Sequence, residues 1–252
     1  VRGLLPNASI DYNHSYELGQ SPRSSDAPPP PRLAGERYPA LTLREGRLGI
    51  IDGGIAEDHA SLRRTSITRR SFLETSQRPN LSHGTAVASL LIAESQSLQG
   101  IAPGVDLVAA EAFFDDLNAG LVSTGFQLVQ ALDWLASEGV SVINMSLPGP
   151  ANDVLHRAIE FALDEGIVLV AAAGNNGPAS DPRFPAAYPG VIAVTAIDQN
   201  NRAYLRAVRG DHLDFSAPGV NVRVADIGGA PSFRMASGTS FAAPFVAALV
   251  LH

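Results

Sequence analysis

RLGIIDGG, residues 47–54, is the stretch on which the reading of the fold turns. A short apolar run ends on a carboxylate and meets two glycines, the pattern of a buried strand entering a turn. The same grammar recurs downstream. HGTAVASLLIAE (83–94) has helical apolar spacing through Val87, Leu90 and Leu91, and VDLVAAEAF (105–113) reads as a strand. TGFQLVQALDWLASEG (124–139) reads as an amphipathic helix, with Phe126, Val129, Leu132 and Leu135 at three-residue steps and Gly139 as its stop. VSVINMSL (140–147) follows as a strand and DVLHRAIEFALDEG (153–166) as a helix. IVLVAAAGN (167–175) and VIAVTAID (191–198) are further strands. Continuous apolar strands between amphipathic helices imply an α/β fold whose mainly parallel sheet is covered by helices on both faces.

Composition bounds the rest. A chain of 252 residues can bury one sizeable core. Its net charge of −7 argues against binding nucleic acid or an anionic membrane surface as the main task. No apolar run is long enough for membrane insertion. The absence of cysteine excludes disulfides, thiolate metal sites and a cysteine nucleophile. Residues 1–45 differ in texture from residues 46–252, and we read them as a separate N-terminal segment. They carry a Pro-, Ser- and Gly-rich stretch including APPPPR (27–32), which suits a linker or, less specifically, a polyproline ligand.

In doubly covered parallel sheets, functional groups gather at the carboxyl ends of strands and at the starts of the helices that follow. That rule selects Asp52 after LGII, His83 at a helix start, Asn175 after IVLVAAAG, and Ser240 before the apolar run FAAPFVAALV. Each has a plain alternative. Asp52 suits a turn, Ser82 a helix cap with His83 on the surface, GNNG a loop, and SGTS a cap. Together, however, they supply what amide hydrolysis needs: a nucleophile (Ser240), a base (His83), a group to orient the base (Asp52) and an oxyanion donor (Asn175).

IIDGGI, SHGTAVASL, VINMSLPGP, VAAAGNNG and ASGTSFAAP, in that order, resemble the motifs of the subtilisin-like serine proteases, over about residues 46–252. The resemblance implies the subtilisin-like three-layer fold and a serine endopeptidase acting on polypeptides through an acyl-enzyme, with no cofactor required. It implies Asp52, His83 and Ser240 as the triad and Asn175 as the oxyanion amide. It also implies that Ser146, Leu147, Pro148 and Gly149 form one wall of the primary specificity pocket, with Ala172, Ala173 and Gly174 forming the other. LVSTG (121–125) matches the edge to which an extended substrate would add as a strand. The apolar run after Ser240 matches a helix buried on all sides. Since family members continue beyond that helix, the fold is expected to be cut short at the C-terminus. The resemblance further implies export, to the medium or the cell envelope, and the chain's own prosegment as an inhibitor. VRGLLPNASIDYNHSYELG (1–19) reads either as the tail of such a prosegment or as a mature segment packed on the catalytic domain.

Several positions depart from the family pattern. Pro148 stands where glycine is usual and has no N–H to offer a substrate. Arg183 aligns with the pocket floor. Pointing inward it would select acidic residues, and pointing outward it would be a surface arginine. Ser61 replaces a common calcium-ligating Asp and the loop AESQSLQG (93–100) is short, so the usual high-affinity calcium site is expected to be absent. A weaker site on carbonyls near residues 186–191 stays open, and no metal residues are assigned. Ala86 replaces a second histidine, and His59 reads as structural. These departures leave a second reading, a catalytically silent relative that binds peptides or partners. A nucleotide-binding domain is disfavoured, because no Gly-rich phosphate fingerprint follows the first strand.

Overall fold

The computed structural model of the chain describes residues 11–18, 46–228 and 232–252. The Pro-rich stretch of the N-terminal segment lies outside the described residues. The chain forms, in order, strands β1 (Ser15–Glu17), β2 (Arg47–Asp52) and β3 (Ile67–Ser71), then helix α1 (Leu81–Ile92). Strands β4 (Asp106–Glu111), β5 (Phe114–Asp116) and β6 (Gly120–Thr124) precede α2 (Gly125–Ser137). Then come β7 (Val142–Met145), α3 (Asp153–Asp164), β8 (Val168–Ala172) and β9 (Ile192–Ile197). Strands β10 (Phe215–Pro218), β11 (Val222–Asp226) and β12 (Ser232–Ala236) lead into α4 (Thr239–Leu251).

Seven strands make the central sheet, in the order β10-β9-β8-β7-β2-β4-β3, and every pairing is parallel. Side chains alternate between the faces of a strand, so a sheet covered on both sides splits each strand between two cores. Leu48 and Ile50 enter one core with Leu107, Ala109, Val142, Val170, Ala172 and Val194. Ile51 enters the other with Val108, Ala110, Ile143, Leu169, Ala171 and Ala193. Helices α1 and α4 cover the first face, and α2 and α3 the second. This is the expected three-layer α/β arrangement. The outer strand β3 carries Arg69 and Arg70 toward solvent, a charged edge that discourages further strand pairing.

Helix α4 is buried from Thr239 to Ala248, which explains an apolar sequence on every face. Helix α2 differs from its sequence reading. Its buried residues are Gly125, Gln127, Leu128, Ala131, Leu132, Trp134 and Leu135, while Phe126 is 64% exposed. A strict three-residue step drifts around a helix of 3.6 residues per turn, so Phe126 falls off the face that Leu132 and Leu135 share. Gly49 on β2 lets α2 lie close. A Cβ there would stand 3.2 Å from Leu135 Cδ2 and from Ile143 Cγ1.

The rotated face makes a prediction about stability. Leu135→Ala should cost about 2–5 kcal/mol in urea unfolding, the range for a fully buried leucine. Phe126→Ala should change it by no more than about 0.5 kcal/mol. Equal losses would contradict the packing described.

Candidate active site

Because the central strands are parallel, their carboxyl ends lie along one edge of the sheet, and the sequence-selected residues sit there. Asp52 is the last residue of β2, and His83 is the third residue of α1. Both are fully buried. His83 Nδ1–H donates to the Asp52 carboxylate at 2.8 and 2.9 Å, and the Gly53 N–H donates to Asp52 Oδ1 at 2.7 Å. The other imidazole nitrogen, Nε2, is buried without a hydrogen-bond partner.

Glycines make this contact feasible. A Cβ on Gly53 would lie 2.2 Å from the Asn80 carbonyl oxygen, and one on Gly84 would lie 2.6 Å from that of Gly54. The end of β2 and the start of α1 therefore touch backbone to backbone, and Gly54 N–H donates to Asn80 O at 3.0 Å. The cap of α1 is Asn80, whose side chain accepts from Ser82 N–H at 2.9 Å. Ser82 itself lies inside the helix, contrary to the alternative in which it serves as the cap.

Ser240 is the second residue of α4, fully buried like Asp52 and His83. The ring of its neighbour Phe241 lies 5.4 Å from the His83 ring, which brings the start of α4 beside the imidazole. Pro244 follows four residues later. Having no N–H, it cannot bond to the Ser240 carbonyl as the helix pattern requires. Ser146 supplies the missing donor: its hydroxyl donates to Ser240 O at 2.9 Å and accepts from Asn144 Nδ2 at 2.9 Å. This answers why a proline is tolerated in the buried run, and it ties the segment after β7 to the segment carrying Ser240.

Thr239 holds Asn175. Its N–H donates to Asn175 Oδ1 at 3.0 Å, its hydroxyl donates to the same atom at 3.2 Å, and Gly174 N–H donates to the hydroxyl at 3.0 Å. With its oxygen so engaged, the Asn175 amide is fixed in orientation, and it is 8% exposed. The orienting roles of Thr239 and Ser146 were missing from the sequence reading. A proline four residues after the serine was the available signal for the second.

Ser146 and Leu147 are fully buried, as are Ala172 and Ala173 at the end of β8. Pro148 and Gly174 approach each other, and Arg183 Cγ lies 3.2 Å from where a Gly174 Cβ would be. His59 is buried with both ring nitrogens engaged. Nε2 donates to Ser232 O at 3.0 Å and Nδ1 accepts from Ser61 N–H at 3.2 Å, in keeping with a structural role.

An extended piece of the chain itself lies against this edge. Strand β1 pairs antiparallel with β6, Tyr16 opposite Ser123, and Glu17 N–H donates to Pro148 O at 3.1 Å. Tyr16 is fully buried, and its hydroxyl donates to Pro150 O at 3.1 Å. Burial raises its phenol pKa, so the hydroxyl keeps its proton. A Cβ on Gly149 would lie 1.9 Å from Tyr16 Cδ1, so only glycine leaves room for the ring. Just upstream, Asn13 Oδ1 accepts from Phe126 N–H at 2.9 Å and Asp11 Oδ2 from Asp153 N–H at 2.7 Å. These acceptors satisfy free donors in the first turns of α2 and α3.

Known proteins share this fold. The model of the subtilase family matches residues 45–252. Subtilisin DY of Bacillus licheniformis is 38% identical over 212 residues, covering 80% of this chain and 73% of that protein. The minor extracellular protease Epr of Bacillus subtilis is 33% identical over 213 residues, which is 83% of this chain but 32% of that protein. The chain thus spans about a third of the length of one such relative and under three quarters of the other. The self-cleaved protease domain of PatA, a solved structure, is 30% identical and superposes with a TM-score of 0.71 over 82% of this chain and 80% of its own. A match running from β2 to the last helix, on a fold shared with a solved protease domain, makes this chain a member of the subtilase family of serine proteases.

Proposed function

We propose that the chain is a serine endopeptidase in which Ser240 attacks the peptide carbonyl and His83 Nε2 takes the hydroxyl proton. The observation that carries this reading is the buried imidazole, bound to Asp52 through Nδ1 and unpaired at Nε2. Asp52 fixes the tautomer and stabilises the imidazolium as it forms. Asn175 Nδ2 and the Ser240 N–H, at the start of α4, donate to the oxyanion. The imidazolium then returns its proton to the leaving amine, the C–N bond breaks, and an acyl ester remains on Ser240. In the second half His83 deprotonates a water that attacks the ester, and the imidazolium returns that proton to Ser240 Oγ as the acyl–oxygen bond breaks and the acid leaves. Side chains and N–H groups fill each role, so the reaction draws on no cofactor. Ser146–Gly149 and Ala172–Gly174 serve as pocket walls.

Residues 46–252 form the catalytic domain in this reading, and residues 1–45 are an N-terminal segment whose strand β1 blocks the cleft as a prosegment would. Support comes from β1, which occupies the gap between β6 and Pro148 where a substrate strand would lie. Self-cleavage, which the name of the PatA structure reports of that protein, is the proposed route of removal. Export is the proposed location, as one similar protein is named extracellular. Among the described residues no helix is long and apolar enough to cross a membrane. Calcium does not fit at Ser61, whose hydroxyl lies 3.1 Å from that of Ser95. Two neutral hydroxyls bonded to each other make a poor donor set for a hard cation.

Peptide hydrolysis tests the scheme. Ser240→Ala should abolish turnover. Asn175→Ala should lower kcat by about a hundred- to a thousandfold with little change in KM, because the oxyanion forms only after attack. A rise in KM with kcat unchanged would contradict that role. Tyr16→Ala should raise hydrolysis of an added peptide by weakening the strand that competes with it, and an unchanged rate would remove β1 as an inhibitor. The Ser146–Pro244 relation has a thermodynamic test. Ser146→Ala should cost about 1–3 kcal/mol by stranding the Ser240 carbonyl. Pro244→Ala should recover part of that loss by restoring a helix N–H. Additive effects in the double-mutant cycle would contradict the coupling.

A further inference from the structure

Arg183 is held beside the first pocket wall by its neighbour. Gly149 N–H donates to Phe184 O at 2.7 Å, and Phe184 N–H donates to Gly149 O at 3.0 Å. Its stem enters the gap between the walls. Around the point where a Gly174 Cβ would stand, Arg183 Cγ lies at 3.2 Å and Pro148 Cβ and Val208 Cγ2 both at 3.4 Å. Arg183 Nε is shielded from water and has no hydrogen-bond partner. Among the described residues, no carboxylate is paired with this guanidinium.

A buried N–H on a cation without an acceptor is costly, and a carboxylate is its best partner. The gap that holds the stem adjoins the reacting atoms from both sides. Gly174 precedes Asn175 on one wall, and Ser146 on the other bonds to the carbonyl of Ser240. A peptide carbonyl held between Asn175 and Ser240 would send its own side chain between these walls.

The geometry points to Arg183 as a specificity determinant that selects substrates with a carboxylate side chain on the residue whose carbonyl is attacked. The inference rests on the proposed roles of Ser240 and Asn175. An aspartate or glutamate there completes the coordination of the guanidinium. A lysine or arginine brings a second cation against the first and is rejected. A large apolar residue fills the gap but leaves Nε unpaired.

The test is a panel of internally quenched peptides identical except at that residue, carrying Glu, Asp, Leu, Phe or Lys. On the parent chain, kcat/KM for Glu or Asp should exceed that for Leu by about ten- to a hundredfold, with Lys the poorest. Arg183→Met should remove most of the Glu-to-Leu ratio, and Arg183→Glu should favour Lys. Cleavage after Leu or Phe at rates equal to Glu on the parent, or an unchanged ratio in Arg183→Met, would overturn the selectivity and leave the catalytic scheme standing. Cleavage of no peptide in the panel, by the parent and by Tyr16→Ala alike, would overturn the catalytic scheme and the selectivity with it.

Discussion

A carboxylate fully removed from water must be met by donors in the fold, and Asp52 is met by two: the Gly53 N–H and His83 Nδ1–H. Burying a charge without such partners is prohibitive, so the contact constrains everything around it. It requires the end of β2 and the start of α1 to meet at backbone distance. Gly53 and Gly84 permit that approach, since a Cβ on either would collide with a carbonyl oxygen. β2 is an interior strand flanked by β4 and β7, so Asp52 stands at the end of a strand inside the sheet and not at its rim.

The remaining machinery is tied to this point through hydrogen bonds that cross the sheet edge. Ser146, after β7, bonds to the Ser240 carbonyl that Pro244 leaves without its helix donor. Thr239, at the start of α4, orients Asn175 after β8. Three strand ends and two helix starts thus fix one another, and a rigid sheet beneath them limits their relative motion. The same edge carries Ser146–Gly149 and Ala172–Gly174, the proposed pocket walls, with β6 beside them. β1 pairs along β6 at this same edge, which is the observation behind the proposal that an extended peptide lies there.

Much of this was legible in the sequence. The strands β2, β4, β7, β8 and β9 are apolar runs bounded by turns, and both of their faces are buried, so composition alone reveals them. Strand-end placement picked out Asp52, His83, Asn175 and Ser240 before any family resemblance was invoked. The exposed edge strand β3 and the short strand β5 escaped notice, because they lack a continuous apolar signal, and β6 was legible only through the family resemblance of LVSTG. The cap of α1 is Asn80, two residues before the Ser82 that the alternative reading offered, and its side chain makes a local bond to Ser82 N–H. The composition of residues 1–19 allows either a prosegment tail or a segment packed on the catalytic domain. The burial of Tyr16 arises from pairing with Ser123, a long-range contact that no local pattern encodes. The part played by Ser146 was hidden for the same reason, although Pro244 marked the carbonyl that needed it.

The most direct measurement is the intact mass of the chain after exposure to a fluorophosphonate, beside a Ser240→Ala control shown to be folded. The reagent reacts with a serine only where a neighbouring base and oxyanion donors have activated it. The account predicts one adduct on the parent and none on the control. No adduct on the folded parent and on folded Tyr16→Ala alike, or an adduct that persists in Ser240→Ala, would contradict the claim that Asp52, His83, Asn175 and Ser240 act as one catalytic unit.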